Sequence, residues 1–348
     1  MSDRTYPASH PHITWMGRTW VSDEGSVRLG FPGITLAFIT TATRVALRLH
    51  TTSPDCYLDI TIDDEPPRRL RLAHGDTDTV IAEGLAAHHA HRVTVLRRTE
   101  SWMGHLTIHA ILLTAGDLLP TPAAPARPRL LFIGDSITCG AGVESPAVAN
   151  VDEPGNHALH HAGRSFAMEV GRRLDADVHL ISYGGRGLVR DWQGLGNDVI
   201  ANAPVFFERV LPDDAQPTWD HATYQPQVVI IGLGTNDFNQ DIPDEATWSQ
   251  AYAKFIARIR DVHPQARILL TNSPMLSMHP DHNSYTKAIS LEAFLTATLA
   301  LCARAGDTQV ERLRYRHQPG SASNSHPTAA QHQFMADDLQ PILSAYLR

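Results

Sequence analysis

Hydrophobic and polar positions follow two different rules along this chain, and the change falls near residue 120. In the first third, short runs alternate apolar and polar residues with period two, the mark of a strand buried on one face. Thr35–Ile39, Val45–Leu49, Tyr57–Ile62, His91–Leu96 and Leu106–Ile111 are expected as strands, separated by turn-forming stretches such as Ser53-Pro54-Asp55 and Asp63-Asp64-Glu65-Pro66-Pro67. No strong helical period occurs there, so residues 1–119 are expected to form an all-β sandwich of jelly-roll type.

Beyond the proline-rich stretch 120–128, continuous apolar runs replace the alternation. Leu130–Ile133, Val178–Ser182, Val228–Leu233 and Arg267–Thr271 read as strands buried on both faces. Helical periods lie between and after them, at Ser165–Leu174, Trp248–Val262, Lys287–Arg304 and Thr328–Leu347, the last kinked or broken at Pro341. Strands alternating with helices predict a three-layer α/β/α domain over 129–348 with a parallel sheet. The loop-rich segments 144–163 and 190–226 are expected to form the rim of any site at the sheet's carboxyl edge.

Composition narrows the possibilities. The net charge of −8 argues against a nucleic-acid partner, whose phosphates need a basic face. No apolar run is long enough to predict a membrane span. The first residues, Met1–Pro7, lack a charged-then-apolar export pattern, which places the chain as written in the cytoplasm; a trimmed leader would mean a periplasmic or secreted protein. Cys56, Cys139 and Cys302 have neither metal nor redox spacing, and His157, His160 and His161 fit no zinc signature, so no metal and no cofactor are expected. Most of the twenty histidines are expected at the surface.

The most informative segment is Leu130–Gly140. An apolar strand runs into Gly134-Asp135-Ser136, which puts a serine hydroxyl where open α/β sheets bind ligands. Such a hydroxyl becomes a nucleophile if a base and oxyanion-stabilising donors converge on it. Gly234-Thr235-Asn236-Asp237 and His326-Pro327 are the downstream candidates. A serine that merely caps the following helix is the simpler alternative.

Gly-Asp-Ser, the glycine block Ser182–Leu188, Gly-Thr-Asn-Asp and a late His-Pro, in that order, resemble the SGNH (GDSL-type) hydrolases, with their flavodoxin-like fold. The resemblance implies Ser136 as nucleophile and His326 as base. It implies three oxyanion donors: the backbone N–H of Ser136, the N–H of Gly185, and the Asn236 side chain. Gly184 and Gly187 leave the glycine register open. Asp135 and Asp237 read as structural loop residues, Cys139 as a small buried filler, and His317 and His332 lack the context of a base. Trp15–Arg18, Phe31–Gly33, Ile62–Asp64 and Arg98–Glu100 look like family 2 of the carbohydrate esterases, which remove acetyl groups from plant polysaccharides such as xylan, mannan or xyloglucan. An acetylated carbohydrate is the partner implied.

One departure stands out. The family usually carries an aspartate three residues before its histidine; here that position is Ser323, and no carboxylate lies between Glu311 and His326. A serine–histidine dyad is therefore expected, with Asn324 or a backbone carbonyl orienting the imidazole. Arg186 and Trp192 could contact a sugar or simply pack. Two rivals stay open: a lipase or thioesterase on the same fold, and a carbohydrate-binding protein with a weak catalytic domain.

Overall fold

The computed structural model describes residues 3–122, 125–146, 156–320 and 325–347. Two antiparallel sheets form the amino-terminal part. One has the order Thr19–Val21, Val27–Leu29, Leu106–Thr114, Arg44–Thr51, Gly75–Glu83, with Asp3–Pro7 also pairing along Leu106–Thr114. The other has the order Leu118–Leu119, Thr35–Thr40, His91–Arg97, Tyr57–Ile62, Arg68–Arg71, with Thr14–Met16 also on Thr35–Thr40. Strict burial alternation in Thr35–Thr40 puts Leu36 and Phe38 in the core and their neighbours outward. The expected sandwich is present, and its last strand ends at Leu119.

The second part is a five-stranded parallel sheet in the order Asp177–Ser182, Arg129–Gly134, Val228–Gly232, Arg267–Thr271, Val310–Leu313. This is the 2-1-3-4-5 order of flavodoxin-like folds. The direction of winding reverses between Arg129–Gly134 and Val228–Gly232, and the carboxyl ends of such a pair are where open α/β sheets bind ligands. The three central strands are buried almost throughout, in keeping with their continuous apolar runs. Phe166–Arg173 and Ala329–Tyr346 pack together on one side of the sheet, and Glu245–Val262 and Tyr285–Arg304 on the other.

The structure corrects several expectations. Ser165 and Thr328 lie outside their helices as N-caps, each accepting a backbone N–H with its hydroxyl. The last helix runs unbroken through Pro341, which sits on its exposed side where the carbonyl that lost its partner can meet water. The edge strand Val310–Leu313 was missed because Val-Glu-Arg-Leu has neither an apolar run nor strict alternation. Tyr285–Arg304 has the length and mean hydropathy of a membrane span, but it buries Leu291, Phe294 and Leu295 in the core and carries Lys287, Glu292 and Arg304.

The two parts share a continuous core. The buried Arg18 guanidinium donates to the carbonyls of Phe207 and Arg209 and lies over the Trp219 ring. Arg98 pairs with Asp59 at 2.8 Å and with Glu144 across the interface at 2.5 Å.

Candidate active site

Strand Arg129–Gly134 ends in a single helical turn, Ser136–Cys139, closed by Gly140 in the left-handed conformation. Asp135 is the N-cap, its carboxylate accepting the N–H of Ile137 at 3.0 Å. Ser136 therefore does not cap the turn; it is the first residue within it, and its hydroxyl is left for other work. Ser136 Oγ lies 2.8 Å from His326 Nε2, the spacing of a nucleophile and its base. Burial pushes the Asp135 carboxyl up to about 7, opposed by the Ile137 N–H. Cys139 is fully buried, its thiol donating to Ser182 Oγ at 3.2 Å, as a packing residue would.

His326 comes from the loop before the last helix. Thr328 forms a capping box with Gln331, and the N–H of Ala329 donates to the carbonyl of Val143 at 2.9 Å. That bond ties the start of the helix to the segment just after the nucleophile turn. The competing histidines serve elsewhere. His332 is buried against Phe166, accepts its N–H at 3.1 Å, and is pushed by burial down to about 3. His317 lies edge-on to His282. Asn324, the expected orienter, and Ser323 lie outside the described residues. The nearest upstream acids are committed elsewhere, Asp307 to Arg260 and Glu311 to Arg267 and Tyr346.

Asn236 follows strand Val228–Gly232. Its amide donates to the carbonyl of Arg186 at 2.9 Å and to Asp135 Oδ2 at 3.3 Å. It thus sits between the residue before the nucleophile and the residue after Gly185. Both amide hydrogens have resting acceptors, and the longer bond, to Asp135, is the weaker one for an incoming oxyanion to replace. Asp237 is the brace expected: its buried carboxylate accepts the N–H groups of Leu188, Val189 and Arg190 at 2.8 to 3.3 Å.

In the glycine block, the N–H of Gly184 donates to Glu100 at 2.8 Å and that of Gly187 to Asn202 at 3.3 Å. Gly185 has a φ of +78°, and a Cβ there would lie 2.7 Å from the Trp192 ring. Only glycine meets both demands cheaply. Trp192 donates its N–H to the Gly185 carbonyl and exposes 49% of its surface. Arg186 is largely covered, stacked over Tyr183 and 3.7 Å from Asp191, so of the two suggested sugar contacts only Trp192 presents a broad free face.

Sequence reasoning missed the side chains that pair across the interface between the two parts. His157, His160 and His161 are all buried, each beside a carboxylate of the β sandwich: Asp55, Glu100 and Asp59. Among the described residues, no three His, Cys, Asp or Glu side chains are grouped to hold a metal ion.

Comparison with known proteins gives consistent findings. The model described as carbohydrate esterase 2 N-terminal matches residues 15–122, and that of the GDSL-like lipase/acylhydrolase family matches residues 132–334. The chain is 37% identical to an acetylxylan esterase / glucomannan deacetylase of Cellvibrio japonicus, over 98% of this chain and 91% of that protein. It is 28% identical to the cellulase/esterase CelE of Acetivibrio thermocellus, spanning 40% of that longer protein. A solved family two carbohydrate esterase from Cellvibrio japonicus superposes with a TM-score of 0.89 at 34% identity, covering 99% of this chain and 98% of that one. One from Clostridium thermocellum, in complex with cellohexaose, gives 0.86 at 27% identity, covering 96% and 99%.

Proposed function

This chain belongs to the GDSL-like lipase/acylhydrolase family and to carbohydrate esterase family 2, and we propose that it removes acetyl groups from plant cell-wall polysaccharides through Ser136 and His326. The observation that carries the reading is the 2.8 Å contact between Ser136 Oγ and His326 Nε2 at the sheet's switch point.

Ester cleavage on this site proceeds in two steps. His326 takes the proton of Ser136 as its oxygen attacks the acetyl carbonyl, and the developing oxyanion is met by backbone and amide donors. The N–H groups of Ser136 and Gly185 and the Asn236 amide are those donors. The elimination of Gly184 and Gly187, whose N–H groups already have acceptors, supports Gly185. Collapse expels the sugar hydroxyl, which receives its proton from His326, and leaves an acetyl ester on Ser136. Water, deprotonated by His326, then releases acetate and restores the serine. Trp192, half exposed beside Gly185, offers a flat apolar face for a pyranose ring.

The relatives' names point to acetylated xylan and glucomannan as substrates. Acetate release from acetylated xylan, glucomannan and xyloglucan, measured beside a long-chain 4-nitrophenyl ester, tests the assignment. Acetate from at least one polysaccharide and little cleavage of the long-chain ester are expected; the reverse preference would make the chain a lipase-like esterase.

A further inference from the structure

Glu100 belongs to the β sandwich, yet its side chain ends inside the catalytic half. It follows Arg97, which is buried and donates to the carbonyls of Leu29, Thr99, Glu100 and Gly104. Arg97 thereby holds the turn that leads into the short helix Ser101–Met103, with Glu100 as its N-cap residue. Glu100 is 1% exposed. One carboxylate oxygen accepts the N–H of Gly184 at 2.8 Å; the other lies 3.2 Å from Nδ1 of His160. His160 precedes His161, whose N–H donates to the carbonyl of Gly140 at the end of the nucleophile turn. A single carboxylate from one domain thus joins the glycine block and the nucleophile segment of the other.

The position of that bond matters more than its strength. The donor expected to face the oxyanion is the N–H of Gly185, which lies in the peptide plane between residues 184 and 185. The plane before it carries the Gly184 N–H held by Glu100. The plane after it carries the Gly185 carbonyl, which accepts the N–H of Trp192 at 2.8 Å. Peptide planes are rigid and turn only about the Cα atoms that join them. Holding both outer planes therefore sets the direction of the one between. A buried carboxylate is costly to desolvate, so a turn that needed only shape would be better served by an apolar side chain. Gly184 itself fits this role: a Cβ there would lie 2.2 Å from Glu100 Oε2.

Resting on the esterase reading above, we propose that Glu100 is a positioning residue for the oxyanion hole, so that the β sandwich contributes directly to turnover. Glu100 acts through Gly184 and does not touch the substrate.

The test uses the full chain and 4-nitrophenyl acetate. Glu100→Ala should lower kcat by roughly ten- to a hundredfold, the scale of a small misplacement at a reacting centre, with KM within about twofold because the ground state makes little use of the oxyanion donors. Glu100→Gln should recover most of the loss, since its amide oxygen can still accept the Gly184 N–H. Gly184→Ala should produce a similar loss by displacing the carboxylate, and Glu100→Ala/Gly184→Ala should be no worse than Glu100→Ala alone. That non-additivity separates a shared contact from two unrelated defects, and Gly184→Ala carries the test if Glu100→Ala does not fold. Wild-type kcat in folded Glu100→Ala or in Gly184→Ala, or losses that multiply in the double variant, would overturn the proposal. The esterase reading fails separately, if the wild-type protein does not cleave the ester or Ser136→Ala still does.

Discussion

Two loops of the candidate site, one carrying Ser136 and the other Gly185, are held in different ways. The nucleophile loop, Gly134–Gly140, is wired mainly from within: Asp135 caps its own helical turn, and a left-handed Gly140 closes it. The glycine loop, Tyr183–Leu195, contains no helix or strand, and outside groups hold much of it. Asp237 binds three successive N–H groups, Asn202 a fourth, Glu100 a fifth, and the Asn236 amide holds the Arg186 carbonyl. The nucleophile turn makes its own backbone bonds and takes outside ones at its two ends, from the Asn236 amide to Asp135 and from the His161 N–H to the Gly140 carbonyl. External wiring makes the oxyanion side depend on three other segments, one of them in another domain.

Four changes would break or sharpen this contrast. The largest effect is expected for Ser136→Ala, which deletes one hydroxyl from a turn that does not use it: activity should fall on the order of a million-fold, as for a catalytic serine in subtilisin, with the melting temperature unchanged. Substantial turnover by the folded variant would remove Ser136 from the mechanism. Asn236→Ala should lower kcat by roughly 10²–10³ with KM nearly constant, the effect of losing one oxyanion donor. Retained activity with a lower melting temperature would show that Asn236 only ties the two loops together.

Asp237→Ala strands three N–H groups, that of Leu188 buried and those of Val189 and Arg190 partly so. A stability loss on the order of 3 kcal/mol by urea denaturation is expected, together with a kcat decrease smaller than that of Asn236→Ala. A change confined to kcat would mean that the loop keeps its shape without the brace. The smallest effect on turnover is expected for Asp135→Asn, since asparagine also caps helices; its signature is the pH dependence of stability. With its folded pKa near 7, Asp135 keeps its proton over a range where the unfolded chain has released it. It therefore favours the folded state most below about pH 4, and that contribution is lost as pH rises to about 7. Melting temperatures measured from pH 4 to 8 should fall with pH more steeply for the wild type than for Asp135→Asn. Parallel curves would mean that the carboxyl ionises normally.

The same contrast explains what could be read from the sequence. Residues carried at strand ends were legible, because a buried parallel strand announces itself as an apolar run and its carboxyl end is the functional edge. Ser136 and Asn236 follow Arg129–Gly134 and Val228–Gly232 in this way. His326 needed the resemblance, since a loop histidine has no local signature among twenty. Alternation revealed Thr35–Thr40, while Arg68–Arg71 and the first half of Gly75–Glu83 are too polar to stand out as strands. Arg98–Glu100 was visible only as a motif. Its partners lie 60 and 84 residues away, and no local pattern encodes a bond at that separation.

The central claim is that one serine in this fold carries out the deacetylation. A phosphonylating ester reagent, which modifies an activated serine once and irreversibly, tests it most directly when acetate release from acetylated glucomannan is followed alongside. The expected result is loss of acetate release in proportion to a single label per chain, mapped by peptide mass spectrometry to Ser136 and absent from His326→Ala. A label mapped to another residue, or full acetate release from protein stoichiometrically labelled at Ser136, would contradict the account.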